Sequence, residues 1–163
     1  MAGIKFLENK DEATINYIIF ELLKPENKNV LFDDFLGFPE LAFLMHDKTT
    51  AIYAFYAQGK PEPIGVVFFT GVVPYHNTTL YACIFDKKNQ NKGVIQEMVE
   101  KIKFDLIKRF AVHSISSNVV DKNPVSEHLL EKLGFEKIGT KKSLIITKGK
   151  YRDLTEYYVL LEK

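Results

Sequence analysis

Between Thr79 and Gln96 the chain places a β-forming run, a polar turn and a glycine at the mouth of a helix, an arrangement that can hold an oxyanion on backbone amides. Thr79–Phe85 reads as a strand, Asp86 opens the turn, and Gly93 falls in the first turn of the helix that follows. The first four N–H groups of a helix have no partner inside it, and the macrodipole adds partial positive charge there. Phosphate oxygens suit such a place, and Lys92 would reinforce it. Glycine in a first helical turn is mildly costly, so close approach of a ligand gives a reason for Gly93. The plainer alternative is a solvated strand-to-helix turn. Cys83 reads as a small hydrophobe in its strand, with no histidine indicated as a partner for nucleophilic chemistry. His46, His76, His113 and His128 lack the spacing of zinc ligands.

The elements that must position this stretch follow from periodicity. Ile4–Leu7 reads as a strand, and Ile15, Ile18, Ile19, Leu22 and Leu23 recur at helical spacing until Pro25 stops them. Glu26–Pro39 reads as a short helix or an ordered loop, and Leu41–His46 as a strand or the end of the preceding helix. Ala51–Ala57, Ile64–Val73 and Thr79–Phe85, separated by turn residues, predict an antiparallel meander. Ile95, Met98, Val99, Ile102, Leu106 and Phe110 form one stripe of a helix over Asn91–Phe110. Val112–Val120 reads as a strand. Pro124–Leu133 reads as a helix, with Asn123 at its cap, Pro124 first and Gly134 after its end. Phe135–Thr147 and Tyr151–Leu161 make a hairpin around Lys148-Gly149-Lys150. The order predicts an α+β fold around one mixed sheet, with residues 1–163 as one domain.

Composition narrows the function. The 163 residues are 46% hydrophobic and 26% charged, too apolar for a disordered chain. A formal charge of +1 gives no field to draw a polyanion, so a nucleic-acid partner is not expected. One cysteine excludes an internal disulfide and indicates a reducing compartment. No apolar run near the start is long enough for a signal peptide or a membrane span, so a cytoplasmic location is expected. Lys141, Lys142, Lys148 and Lys150 read as a solvated face or a protected sheet edge rather than a site for an acidic substrate.

Three motifs resemble the GNAT superfamily of N-acetyltransferases, closest to its ribosomal-protein N-terminal acetyltransferase branch. Gln90-Asn91-Lys92-Gly93-Val94-Ile95 is similar to the acyl-CoA signature at Gln90 and Gly93 and departs from it at Ile95, where a small residue is usual. Asn123-Pro-Val-Ser126, running on through Leu-Leu-Glu-Lys-Leu to Gly134 and Phe135, resembles a helix of that branch. Gly149-Lys-Tyr151-Arg-Asp153 with Tyr157 resembles its final hairpin.

The resemblance implies a GNAT fold: a central mixed, mostly antiparallel sheet with helices on both faces. It implies acetyl-CoA as donor and a primary amine, small molecule or protein N-terminus, as acceptor. Gln90, Asn91, Lys92, Gly93, Val94 and Ile95 would cradle phosphates, chiefly through backbone N–H groups. Ile84 and Phe85 would pair with the pantetheine arm, a backbone N–H near Phe85 would polarise the thioester carbonyl, and Asn123 would contact the cofactor. Ser126 would set a hydroxyl near the CoA sulfur, where it could donate a proton or hydrogen bond to the departing thiolate; the tyrosine that many GNAT enzymes use has Leu130 in its place here. Relatives often carry a glutamate where this chain has Leu80, which leaves Asp86, His113, Tyr151 and Asp153 as open candidates for the base. The acceptor would be framed by Glu26–Pro39 and the hairpin at Gly149. A homodimer through exposed edge strands is a further expectation. The rival reading is a catalytically silent GNAT-fold module that binds CoA or a protein.

Overall fold

The β-rich runs close into a seven-stranded sheet in the order β1-β2-β3-β4-β5-β7-β6. In chain order the elements are β1 (Gly3–Phe6), α1 (Glu12–Leu23), α2 (Pro25–Leu31), α3 (Phe38–His46), β2 (Ala51–Tyr56), β3 (Gly65–Thr70) and β4 (Asn77–Ile84). Then come α4 (Val94–Phe110), β5 (Ser114–Val120), α5 (Pro124–Lys132), β6 (Glu136–Thr147) and β7 (Lys150–Leu160). The computed structural model describes residues 3–31, 34–90 and 93–161. Every neighbouring strand pair is antiparallel except β4 and β5. The α+β GNAT-type architecture expected from the motifs is the observed one. No helix among the described residues is long and apolar enough to cross a membrane.

Helices cover both faces of the sheet. On one, α1 and α3 bury Ile15, Ile18, Ile19, Leu22, Leu41 and Met45 against Ile52, Val66 and Phe68. On the other, Met98, Val99, Ile102 and Leu106 of α4 and Leu130 of α5 pack on Phe69, Ile115 and Tyr157. Each fully buried Leu or Ile is worth roughly 1.5–3 kcal/mol relative to exposure, so these two layers fix the sheet between them. Leu41–His46 is helical. Leu41 and Met45, one turn apart, are both fully buried, and the Glu40 carboxylate accepts the Gly37 N–H at 3.0 Å to start the turn. Glu26–Pro39 divides into α2 and a connection to α3.

One parting of strands governs everything near the site. The parallel pairing of β4 with β5 runs only from Asn77↔Ser114 to Leu80↔Ser117. Beyond that point β4 stays paired with β3 as far as Ile84, and β5 stays paired with β7 as far as Val120. The outer edge of each strand is satisfied, while the inner edges diverge.

Gly65 sits opposite Ile84 at the end of this pairing. A Cβ there would lie 2.7 Å from Ile84 Cδ1 and 2.9 Å from the Cys83 carbonyl oxygen, and the latter is backbone that cannot rotate aside. Gly65→Ala is therefore expected to lower stability by about 1–3 kcal/mol in urea unfolding, as overpacking does. An unchanged midpoint would show that the end of β4 can shift freely.

Candidate active site

The gap between β4 and β5 opens into two adjoining cavities. The larger, about 910 Å³, is lined among others by Ala82, Ile84, Gln90, Gly93, Asn123 and Ser126. The smaller, about 270 Å³, continues between the strands past Ser117 and Asn118 to Leu36, Ile145 and Leu154. Antiparallel strands use alternate residues for each neighbour. Phe85 donates its N–H to Ile64 O at 2.9 Å, so Phe85, Cys83 and Tyr81 belong to the set facing β3. Leu80, Ala82 and Ile84 turn their N–H and C=O groups toward the gap. Two side chains bear this out: Ser117 Oγ donates to Leu80 O at 3.3 Å, and Gln90 Nε2 donates to Ile84 O at 3.0 Å.

Phe85 is thus not brought to the cleft. Its amide is spent in the sheet, its ring meets Tyr17 edge-on at 6.4 Å, and it cannot polarise a carbonyl in the gap. The residue in its expected place is Ala82, which with Ile84 carries the free strand edge. The sequence showed a strand end but not which edge each amide faces, and a one-residue slip inverts that assignment.

The glycine does something other than expected. Gly93 is not in the first turn of α4; it is the residue before it, in the left-handed conformation at φ 72°. Among the described residues a Cβ there would meet nothing within 4 Å beyond its own chain neighbours and helix backbone. Asp11 caps α1 and Asn123 caps α5, yet among the described residues no side chain caps α4. The Glu97 N–H bonds to Gly93 O, which leaves the amides of Val94, Ile95 and Gln96 ahead of the first intrahelical bond. These residues line the large cavity, where a helix N-terminus with no capping acceptor favours an anion. Gln90 has a different task from an amide donor: its own N–H goes to Lys87 O at 3.2 Å, and its side chain ties the loop to the end of β4. Asn91 and Lys92 lie outside the described residues. Ile95 is half-buried, packs on the core and lines both cavities.

α5 meets the cleft with its first turn. Asn123 Oδ1 accepts the Ser126 N–H at 3.3 Å and Pro124 occupies the first helical position, as the sequence indicated. Both Asn123 and Ser126 line the two cavities. The carboxamide nitrogen of Asn123 and the hydroxyl of Ser126 have no hydrogen-bond partner among the described residues.

Comparison with known proteins agrees with this geometry. A model of the acetyltransferase (GNAT) domain matches residues 4–155. The chain belongs to the GNAT acetyltransferase family. It is 30% identical over 113 residues to the [ribosomal protein uS5]-alanine N-acetyltransferase of Escherichia coli K12, and equally to that of Shigella flexneri. The match takes in 66% of this chain and 57% of those relatives. Similar folds include spermidine N-acetyltransferase from Vibrio cholerae, described in complex with CoA and spermine, at TM-score 0.81 and 19% identity over 98% of this chain and 95% of that one. Ribosomal-protein-S5-alanine acetyltransferase from Vibrio fischeri gives TM-score 0.78 at 16% identity, covering 99% and 94%.

Among the described residues of this GNAT cleft, the titratable ones are Glu26, Cys83, His128 and Lys132 in the larger cavity and Tyr81 in the smaller. Burial, with Glu21 and Glu26 nearby, pushes the Cys83 thiol up to about 12, so it is neither a base nor a nucleophile near neutral pH. None of the base candidates read from the sequence lines the cavities. Asp86 accepts the Lys88 N–H at 2.9 Å, Asp153 accepts the Ser143 N–H at 2.9 Å, Tyr151 is exposed, and the His113 amide donates to His76 O where β5 begins. Glu26 is a cleft residue that nothing local in the sequence marks. It stands in the first turn of α2, which packs against α1 and β5, and it lines the larger cavity.

Proposed function

We propose that this protein is an acyl-CoA-dependent N-acetyltransferase that moves acetyl from acetyl-CoA to a primary amine by direct attack within a ternary complex. The observation that carries it is the uncapped mouth of α4 opening on the same cleft as the unpaired edge of β4. That pairing suits a ligand with a diphosphate at one end and a slender amide-bearing arm at the other, which fits coenzyme A. When bound, acetyl-CoA supplies a thioester already activated toward amines.

The chain's own groups then have distinct tasks. The amides from Gly93 to Gln96, with Asn91 and Lys92 completing the family's loop, hold the phosphate oxygens. Ala82 offers its N–H and C=O, and Ile84 its N–H, to the arm as a further strand would. Asn123 keeps a free carboxamide N–H toward the arm while its oxygen caps α5. Ser126 Oγ donates a proton or hydrogen bond at the sulfur, and the Glu26 carboxylate takes the proton from the attacking amine. Holding the two reactants in register can supply roughly 7–11 kcal/mol of the barrier, so positioning is the main contribution of the protein.

The acceptor class is a small-molecule amine or a protein N-terminus, the latter favoured by the relatives named for a ribosomal-protein alanine. The test is release of free thiol from acetyl-CoA over polyamines, amino sugars and peptides with N-terminal alanine, alongside the melting temperature with and without CoA. A CoA-dependent rise with transfer to at least one amine is expected. A rise with no transfer to any acceptor would replace the reading with a silent CoA-binding module, and no rise at all would remove CoA from the account.

A further inference from the structure

Asp34, an exposed residue on the connection between α2 and α3, reaches the tip of the β6–β7 hairpin 115 residues away. Its Oδ1 accepts the Lys148 N–H at 2.7 Å and its Oδ2 accepts the Gly149 N–H at 2.8 Å. Its own N–H donates to Ile146 O at 2.8 Å, and Lys28 Nζ donates to its carbonyl at 3.2 Å. The turn is shaped for this. Lys148 and Gly149 are both left-handed, at φ 52° and 69°, which aims successive N–H groups at one point, a concavity that binds anions. Those two donors, with Lys28 nearby, hold the Asp34 carboxyl below the usual carboxylate range.

The hairpin needs such a tie. Residues 136–144 of β6 are exposed on both faces of the strand. Its register against β7 shifts between Lys137 and Gly139 and again between Lys141 and Ile145. Packing near the tip is confined to the half-buried Ile145 and Ile146 and the buried Thr147 just before the turn, so the rest of β6 does little to fix it. Yet the inner end of the cleft is built there: Leu36, two residues after Asp34, lines it together with Ile145 of β6 and Leu154 of β7. Three separate stretches of chain make that wall, and one carboxylate bridges two of them.

We infer that Asp34 is a positioning residue for the acceptor: it clasps the hairpin turn so that Leu36, Ile145 and Leu154 form one fixed apolar wall against which a primary amine carrying an apolar group is seated. This rests on the acyl-transfer reading of the cleft. It places acceptor discrimination in a wall that lines only the smaller cavity, whereas Gly93, Val94 and Gln96 line only the larger, so the clasp bears on the acceptor and not on the donor.

Asp34→Ala and the isosteric Asp34→Asn, which keeps a single neutral oxygen acceptor, separate the possibilities. Three quantities are measured on each: amide hydrogen exchange at Lys148 and Gly149, the CoA-induced rise in melting temperature, and KM for peptides that begin with alanine or leucine. Expected are faster exchange at both amides, an unchanged CoA effect, and an acceptor KM raised roughly tenfold in the alanine variant and less in the asparagine variant. An acceptor KM that stays at the wild-type value while exchange accelerates overturns the positioning role and leaves the transferase reading intact. Unchanged exchange overturns the clasp itself. A wild-type protein that shows no CoA effect, or transfers acetyl to no amine, overturns the transferase reading and this inference with it.

Discussion

Gly93→Glu removes the rise in melting temperature that coenzyme A gives the wild-type protein. A ligand at a hundred times its dissociation constant stabilises by about 2.7 kcal/mol, which for a chain of this size is a rise of roughly 5–10 °C. The glutamate side chain would stand at the mouth of α4, where no described residue beyond the chain neighbours and the helix's own backbone comes within 4 Å of a Cβ. Its negative charge would occupy or repel from the very amides that the phosphates require. The substitution carries a second, separable cost. Gly93 is at φ 72°, and a left-handed conformation costs a residue with a Cβ roughly 1–2 kcal/mol, lowering the melting temperature without ligand by a few degrees. Gly93→Ala isolates that term: it bears the same backbone cost, adds no charge and meets no neighbour, so it is expected to melt lower yet still respond to CoA. A Gly93→Glu protein that answers CoA as the wild type does would mean that the phosphates bind elsewhere, and the assignment of the cleft would fall with it.

Ser126→Ala is expected to lower kcat about a hundredfold with the CoA effect on melting retained. Positioned general acids contribute roughly 10²–10⁴-fold, and a thiol with a pKa near 8.5 is a good enough leaving group to place this one at the low end. The substitution leaves the helix alone, because Asn123 bonds the backbone N–H of Ser126 and not its hydroxyl. Alanine is also well suited to a first helical turn. A loss confined to kcat would locate the hydroxyl in the transition state, whereas a rise in KM with kcat preserved would make it a binding contact. A kcat within about twofold of wild type would leave the departing sulfur without an acid from this chain.

Both expectations use residues readable in the sequence, but the reasons attached to them had to change. The Gly93 motif lies at the start of α4 as read from the sequence, while the glycine is a left-handed cap rather than a first-turn residue. Asn123 and Pro124 announced α5 through local hydrogen bonding alone, and the α4 stripe of Met98, Val99, Ile102 and Leu106 is buried as its period required. Leu41–His46 is ambiguous in sequence because a run of five apolar residues and a histidine has no clear period; its burial against α1 and the sheet settles it.

What the order of residues decided by itself is therefore the local part: helix caps, periodic faces, turn glycines and the motif at the mouth of α4, each resting on contacts a few positions apart. Only folding in three dimensions decided that β4 and β5 part after Leu80 and Ser117, that Ala82 rather than Phe85 faces the gap, that Glu26 reaches the cleft, and that Asp34 closes on Lys148 and Gly149. The reason is physical. Which edge an amide presents depends on strand partners distant in the chain, and a carboxylate acquires a role only from groups that packing, not spacing, sets beside it.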